Sequence, residues 1–130
     1  MPGNLNDLTK TVKGIAPQAL SAAVNGTGID RSGFNFTVVA CETGATTGTP
    51  TTTSVAYKIQ DSADNVTFTD VAGATVAIAD AAHGEINLDL RPLRQYVRVV
   101  ATPTFTGGTS PTVQAAASVT LGDAVVLPAS

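Results

Sequence analysis

The chain has 130 residues, a length that suits one domain with one hydrophobic core. Charged residues make up only 13% of it, and a net charge of −3 without a basic cluster argues against a nucleic-acid partner. No apolar run approaches the roughly 18 residues of a membrane span, which argues against a membrane partner. No apolar run of a signal peptide follows residues 1–4, so we expect synthesis in a cytoplasm without a secretion signal.

Residues 1–22 differ in pattern from the rest of the chain. Their apolar residues are spaced by three, four and three positions: Leu5, Leu8, Val12 and Ile15. This is helical spacing, but Gly14 and Pro17 interrupt it, so an amphipathic turn and an extended arm both fit. Because the apolar set has nothing local to pack against, we expect residues 1–22 to form an N-terminal arm that docks elsewhere. Residues 23–130 then form the folded domain.

From residue 33 onward the apolar residues alternate with a period of two, which is typical of strands. In "FNFTVVACE" one face carries Phe34, Phe36, Val38 and Ala40, and we expect this face to be buried. The segments "SVAYKIQ", "EINLDL", "RQYVRVVATPTF" and "TVQAAASVTL" alternate in the same way, and residues 43–54 predict a long outward loop. Seven or eight short strands, with no convincing helix after residue 22, predict an all-β antiparallel sandwich or jelly roll.

The segment "QDSADNVTF" suggests either a cation site or a turn, because it contains Asp61, Asp64 and Asn65. Calcium takes about six to eight oxygen ligands, and the EF-hand spacing is absent, since Ala63 and Val66 occupy two of its ligand and glycine positions. Asp and Asn side chains cap turns and tolerate left-handed backbone. We therefore predict a hairpin turn without a metal, and keep a ligand-binding loop as an alternative.

The sequence contains no recognisable catalytic motif. His83 is the single histidine, and Cys41 is the single cysteine, so an internal disulfide is impossible and a zinc site lacks ligands. We expect His83 to be solvated and Cys41 to be a small core residue. We therefore predict no enzymatic activity and no cofactor.

The segment "YKIQDSADNVTFTDVAG" resembles a hairpin of small β-sandwich proteins in tailed-phage virions, in which S-x-D-[GN] follows a strand and precedes an aromatic residue. The segments "GTGIDRSGFNFTVVA", "RQYVRVVATPT" and "GGTSPTVQAAASVTLG" resemble other parts of the same proteins, so the likeness covers roughly residues 24–128. These proteins are the capsid decoration, or cement, proteins of tailed bacteriophages. Asn65 stands where the pattern usually has Gly, and Asn also accepts a positive φ.

The resemblance implies a jelly-roll-like structural protein without a cofactor. Such a protein sits as a symmetric homodimer or homotrimer on the outer capsid surface of the virion and bridges subunits of the phage major capsid protein. We expect the apolar residues of the arm to contact the capsid: Leu5, Leu8, Val12 and Ile15. The alternatives are a tail or fibre component of the virion and a glycan-binding module. The glycan alternative is weakened because most Phe residues occupy positions predicted to face inward.

Overall fold

The computed structural model describes residues 10–31 and 33–124, and every regular element within these ranges is a β-strand. The strands follow one another as β1 (Lys10–Leu20), β2 (Val24–Asn25), β3 (Ile29–Asp30), β4 (Phe34–Thr47), β5 (Thr52–Ser62), β6 (Thr69–Ala79), β7 (His83–Asp89), β8 (Tyr96–Thr106) and β9 (Thr112–Ala124). β-branched residues and small residues dominate them, which suits a pleated backbone.

The strands form two antiparallel sheets that share one core. A four-stranded sheet has the order β1-β9-β4-β7, and a five-stranded sheet has the order β2-β8-β5-β6, with β3 also paired to β8. β2 and β3 pair with neighbouring stretches of β8, so they are two pieces of one interrupted strand. The all-β antiparallel sandwich predicted from the alternation is confirmed.

The pairing of the strands is nested along the chain. β1 pairs with β9, the interrupted strand β2–β3 with β8, β4 with β7, and β5 with β6. A chain paired in this way is one long hairpin rolled up on itself, which is the topology of a jelly roll. If the interrupted strand is counted once, the described residues contain eight strands, in agreement with the predicted seven or eight.

Gly26 interrupts that strand where the edges of the two sheets meet. Its backbone N–H donates to the carbonyl oxygen of Val99 at 2.7 Å. A side chain at this position would collide with the carbonyl oxygen of Gly14 in β1. The closure of this edge therefore depends on a residue without a Cβ atom.

Inward-facing positions of both sheets fill the core. The most deeply buried of the large side chains are Tyr57, Ile59, Leu90, Leu121, Val39, Val55, Val99, Val113 and Val119. Tyr57 crosses from β5 to the other sheet, where its hydroxyl donates to the carbonyl oxygens of Glu42 at 2.8 Å and Ala116 at 3.3 Å. Burial raises the pKa of Tyr57 to about 12. The buried faces of β5, β8 and β9 are the faces that the alternation predicts.

The buried face of β4 is the opposite of the predicted one. Val39 is buried, whereas the Phe36 and Val38 side chains are 47% and 37% exposed. Val39 pairs with Ile86 of β7 and with Val119 of β9, and both of these are buried. Because cross-strand partners share a face, the register with two unambiguous neighbours decides which side of β4 enters the core.

Residues 10–20 of the predicted arm belong to the sandwich. β1 pairs with β9 from Lys10 to Leu20 as an edge strand, with two register shifts. Ile15 is only 3% exposed and lies in the core, and Val12 packs against that core. Residues 1–9 of the predicted arm lie outside the described residues.

The loop within residues 43–54 is shorter than predicted. β4 continues to Thr47 and β5 begins at Thr52, so most of the segment is strand. Gly48 has φ 84° in the turn between them, and a Cβ atom there would collide with Pro111 of the neighbouring turn. Tight packing between two turns therefore shortens the loop.

Replacing Ile15 by alanine tests whether β1 is part of the core. We expect Ile15→Ala to lower the free energy of unfolding by about 2–5 kcal/mol, because the change leaves a cavity. The exposed neighbour Ala16 supplies the control, and Ala16→Ser should change stability by no more than about 0.5 kcal/mol. Urea unfolding followed by circular dichroism measures both variants. Equal stability of Ile15→Ala and wild type would mean that β1 does not pack on the core in solution.

Candidate interaction surface

Ser62 and Asp64 organise the turn between β5 and β6. The Ser62 hydroxyl donates to Asp64 Oδ1 at 2.9 Å and accepts the Asn65 backbone N–H at 2.9 Å. Asp64 Oδ1 also accepts the backbone N–H groups of Val66 at 2.9 Å and Thr67 at 3.0 Å. These backbone donors lower the pKa of Asp64 to about 2. Asn65 has φ 60°, so the turn interpretation of this segment is confirmed.

Asp61 serves a different part of the fold. Its carboxylate accepts hydrogen bonds from Arg94 Nη2 at 2.9 Å and from the Arg94 backbone N–H at 3.1 Å. The hydrogen bond from the Arg94 side chain is the main reason why the pKa of Asp61 is lowered. Within residues 10–31 and 33–124, no group of three or more His, Cys, Asp or Glu residues is placed to hold a metal ion. Through its hydrogen bonds to Arg94, Asp61 connects β5 to the loop before β8.

Acid titration tests the role of Asp64. Its pKa in the folded state lies below the ordinary aspartate value of 3.8, so ionised Asp64 stabilises the fold above that pH. This stability is lost as the pH falls from about 3.8 towards about 2. We expect the urea midpoint of Asp64→Asn to fall less steeply over this window than that of wild type. Asp80→Asn, at an exposed aspartate, is the matched control. Parallel pH profiles for wild type and Asp64→Asn would contradict this role.

Cys41 and His83 occupy the positions that their predicted roles require. Cys41 is 1% exposed, and burial raises the pKa of its thiol to about 12, which keeps the thiol protonated and unreactive at neutral pH. The prediction of a core cysteine is confirmed. His83 is exposed, as predicted, and stands opposite Glu42 at the start of β7.

The structure separates the four residues that we predicted to contact a capsid. Leu5 and Leu8 lie outside the described residues. Val12 is half-buried, and Ile15 is a core residue with almost no exposed surface. In this fold, therefore, Ile15 has no side-chain surface available for an external partner.

The solvent side of the four-stranded sheet, which we call the outer face, carries the two large hydrophobic residues that are exposed on the described strands, Phe36 and Val38. Its centre consists of side chains from β4 and β9: Phe36, Val38, Ala40, Ser118, Thr120 and Gly122. Phe36 pairs with Gly122, and Val38 pairs with Thr120. An exposed Phe next to an exposed Val is a typical feature of a surface that a partner covers.

Two opposite charges of the outer face lie at its two edges. Lys13 of β1 and Glu85 of β7 occupy one row that crosses the sheet through Ala40 and Ser118. Neither charge forms an ion pair with another described residue. Glu42 of β4 extends the acidic side into the next row. The face therefore carries a positive charge at its β1 edge and a negative charge at its β7 edge, and Glu42 adds a negative charge on the inner strand β4, beyond the row of Ala40.

Sequence reasoning missed the outer face because it assigned the wrong side of β4 to the core. The sequence of β9 contains a pattern from which the outer face could have been predicted. From residue 116 to residue 122, its positions that face away from the core carry neither a charge nor a large polar side chain: Ala116, Ser118, Thr120 and Gly122. Solvated strand faces usually carry charged or larger polar side chains, so such a row indicates a covered surface.

The part of the chain that the structure describes contains no helix that is long and apolar enough to cross a membrane.

No family model and no curated protein matches this chain. Its fold is similar to that of XepA, an exported protein of PBSX, at 16% identity and a TM-score of 0.64, covering 98% of this chain and 41% of XepA. YomS, a protein derived from the SPBc2 prophage, is 12% identical with a TM-score of 0.50, and the match covers 87% of this chain and 91% of YomS. A chain from the disulfide-linked pili of Bacillus endospore appendages is 12% identical with a TM-score of 0.50, covering 88% of each chain. This chain thus spans less than half of XepA, and at these identities the likeness establishes a shared β-sandwich fold.

Proposed function

We propose that this chain is a structural protein of a phage virion that decorates the outer capsid surface and cements neighbouring subunits of the major capsid protein. The observation that carries the proposal is the jelly-roll fold, which is similar to the folds of the PBSX exported protein XepA and the prophage-derived protein YomS. The resemblance of the "DSADNVTF" hairpin to phage cement proteins points in the same direction.

The mechanism we propose is adhesion without chemistry. The side chains that could have held a metal or acted as a nucleophile have structural roles. Asp64 caps a turn, Asp61 binds Arg94 and Cys41 fills the core. A cement protein stabilises a shell because it binds the assembled lattice and not the separated subunits. Repeated symmetric contacts make the combined binding strong even when each contact is weak.

Leu5 and Leu8 remain our candidates for the capsid contact. Each fully buried Leu side chain contributes about 1.5–3 kcal/mol, while each ordered residue costs about 1–2 kcal/mol of backbone entropy. The net contribution of a short arm is therefore small at one site, and its effect depends on many copies.

Capsid binding by an arm variant tests this contact. We expect the double variant Leu5→Ser, Leu8→Ser to bind heads depleted of this protein at least about tenfold more weakly, because two apolar side chains are lost. The matched control is Asn4→Ser, Asn6→Ser, which changes the same segment without removing apolar surface. Co-sedimentation of purified protein with heads measures the affinity. Equal binding of both variants and wild type would remove the arm from the contact, and no binding by wild type would reject the cement function.

The tail or fibre alternative has a structural point in its favour, because the similar pilus chain belongs to a fibrous assembly. Cryo-electron microscopy of the virion distinguishes the two locations. Hundreds of copies on the shell would support cementing, and density confined to the tail would reject it.

The glycan-binding alternative gains one observation, because the exposed ring of Phe36 is a surface on which a sugar could stack. We nevertheless expect a flat response of the purified protein on a glycan array, since the neighbouring side chains are mostly small. A signal that is lost in Phe36→Ala and kept in Val38→Ala would contradict this expectation and favour a glycan-binding module.

A further inference from the structure

We infer that the outer face of the four-stranded sheet binds the same face of a second copy of this chain, in a two-fold dimer whose facing strands are aligned. The inference goes beyond capsid binding, because it concerns an interface that forms in the purified protein. The shape, the charge pattern and the size of the face each support it.

The relief of the outer face is self-complementary at the row of Phe36 and Gly122. Phe36 projects beside its cross-strand partner Gly122, which presents no side chain. If a two-fold axis runs along the strands between β4 and β9, β4 of each copy faces β9 of the other. Each Phe36 then lies over the partner's Gly122, and each Val38 lies over the partner's Thr120. Aligned packing of two sheets is a common arrangement in β-sandwiches.

The charges at the two edges of the face match under the same axis. Lys13 and Glu85 lie in one row at opposite edges of the sheet. The axis exchanges these edges, so Lys13 faces the partner's Glu85, and Glu85 faces the partner's Lys13. The dimer thus gains two symmetric ion pairs from charges that have no ionic partner among the described residues of one chain.

The charge pattern also selects this axis over the alternative one. A two-fold axis across the strands would stack β1 on β1 and β7 on β7. Lys13 would then face only residues of β1, and Glu85 would face only residues of β7. No attractive pair between these two edges would form, so the axis along the strands is favoured.

The size of the face suffices for a specific dimer. β7 has 7 residues and the other three strands have 11 to 14, so four strands spaced about 4.8 Å apart with a mean length of at least about 30 Å give on the order of 570 Å² per copy. The two copies together bury on the order of 1,100 Å², which reaches the roughly 1,000 Å² of a biological interface. An interface of this area lies at the small end of stable interfaces, so the fraction of dimer should change over an experimentally accessible range of concentration.

Sedimentation velocity of the purified full chain over a concentration series tests the inference. We expect the mass of two chains at high concentration. Lys13→Glu and Glu85→Lys should each raise the dimer dissociation constant about tenfold or more, because each reversal replaces two attractions with two repulsions. The double variant Lys13→Glu, Glu85→Lys restores opposite charges and should recover dimerisation, which also excludes misfolding as the cause.

The matched control is Asp80→Lys, which makes the same type of charge reversal at an exposed aspartate outside the outer face. It should leave the dissociation constant unchanged. A chain that stays monomeric, forms a trimer, or dimerises regardless of the two single reversals overturns the inference. A double variant that fails to recover overturns it as well. Loss of capsid binding by a protein that still dimerises would contradict only the cement function.

Discussion

The antiparallel register of β4 between β7 and β9 is the constraint on which both the core and the surface of this protein depend. It places Val39 beside Ile86 and Val119, and these two neighbours belong to strands whose buried faces are unambiguous. A shift by one residue would turn every side chain of β4 to the other side. The register therefore places a Phe on the surface, even though burying that ring would by itself be favourable.

Polar groups hold this arrangement together at the points where strands turn or sheets meet. The Tyr57 hydroxyl crosses the core and bonds to two carbonyl oxygens of the opposite sheet, so the distance between the sheets is fixed by a directional contact. Ser62 and Asp64 close the β5–β6 turn, and Asp61 fastens the loop that carries Arg94. Several side chains that suggest chemistry in the sequence are thus engaged in supporting the fold.

The surface that results suits a protein that works by contact. Only 13% of the residues are charged, and the centre of the outer face carries small or apolar side chains between a basic and an acidic edge. Such a pattern gives direction to an encounter without repelling a second copy. If two copies pair through this face and each copy binds a lattice through another surface, the dimer would occupy two neighbouring lattice sites at once. The combined affinity would then exceed the affinity of either single contact.

The sequence by itself determined the fold class, because alternation in "SVAYKIQ", "RQYVRVVATPTF" and "TVQAAASVTL" leaves one side of each strand to be buried. It also determined the turn at Asp64 and Asn65, since their hydrogen bonds are local. Three features were decided only by the tertiary structure: the buried side of β4, the membership of residues 10–20 in the sheet, and the outer face. Each depends on which strands become neighbours, and a strand such as β4 with apolar residues on both sides carries no local information about that choice.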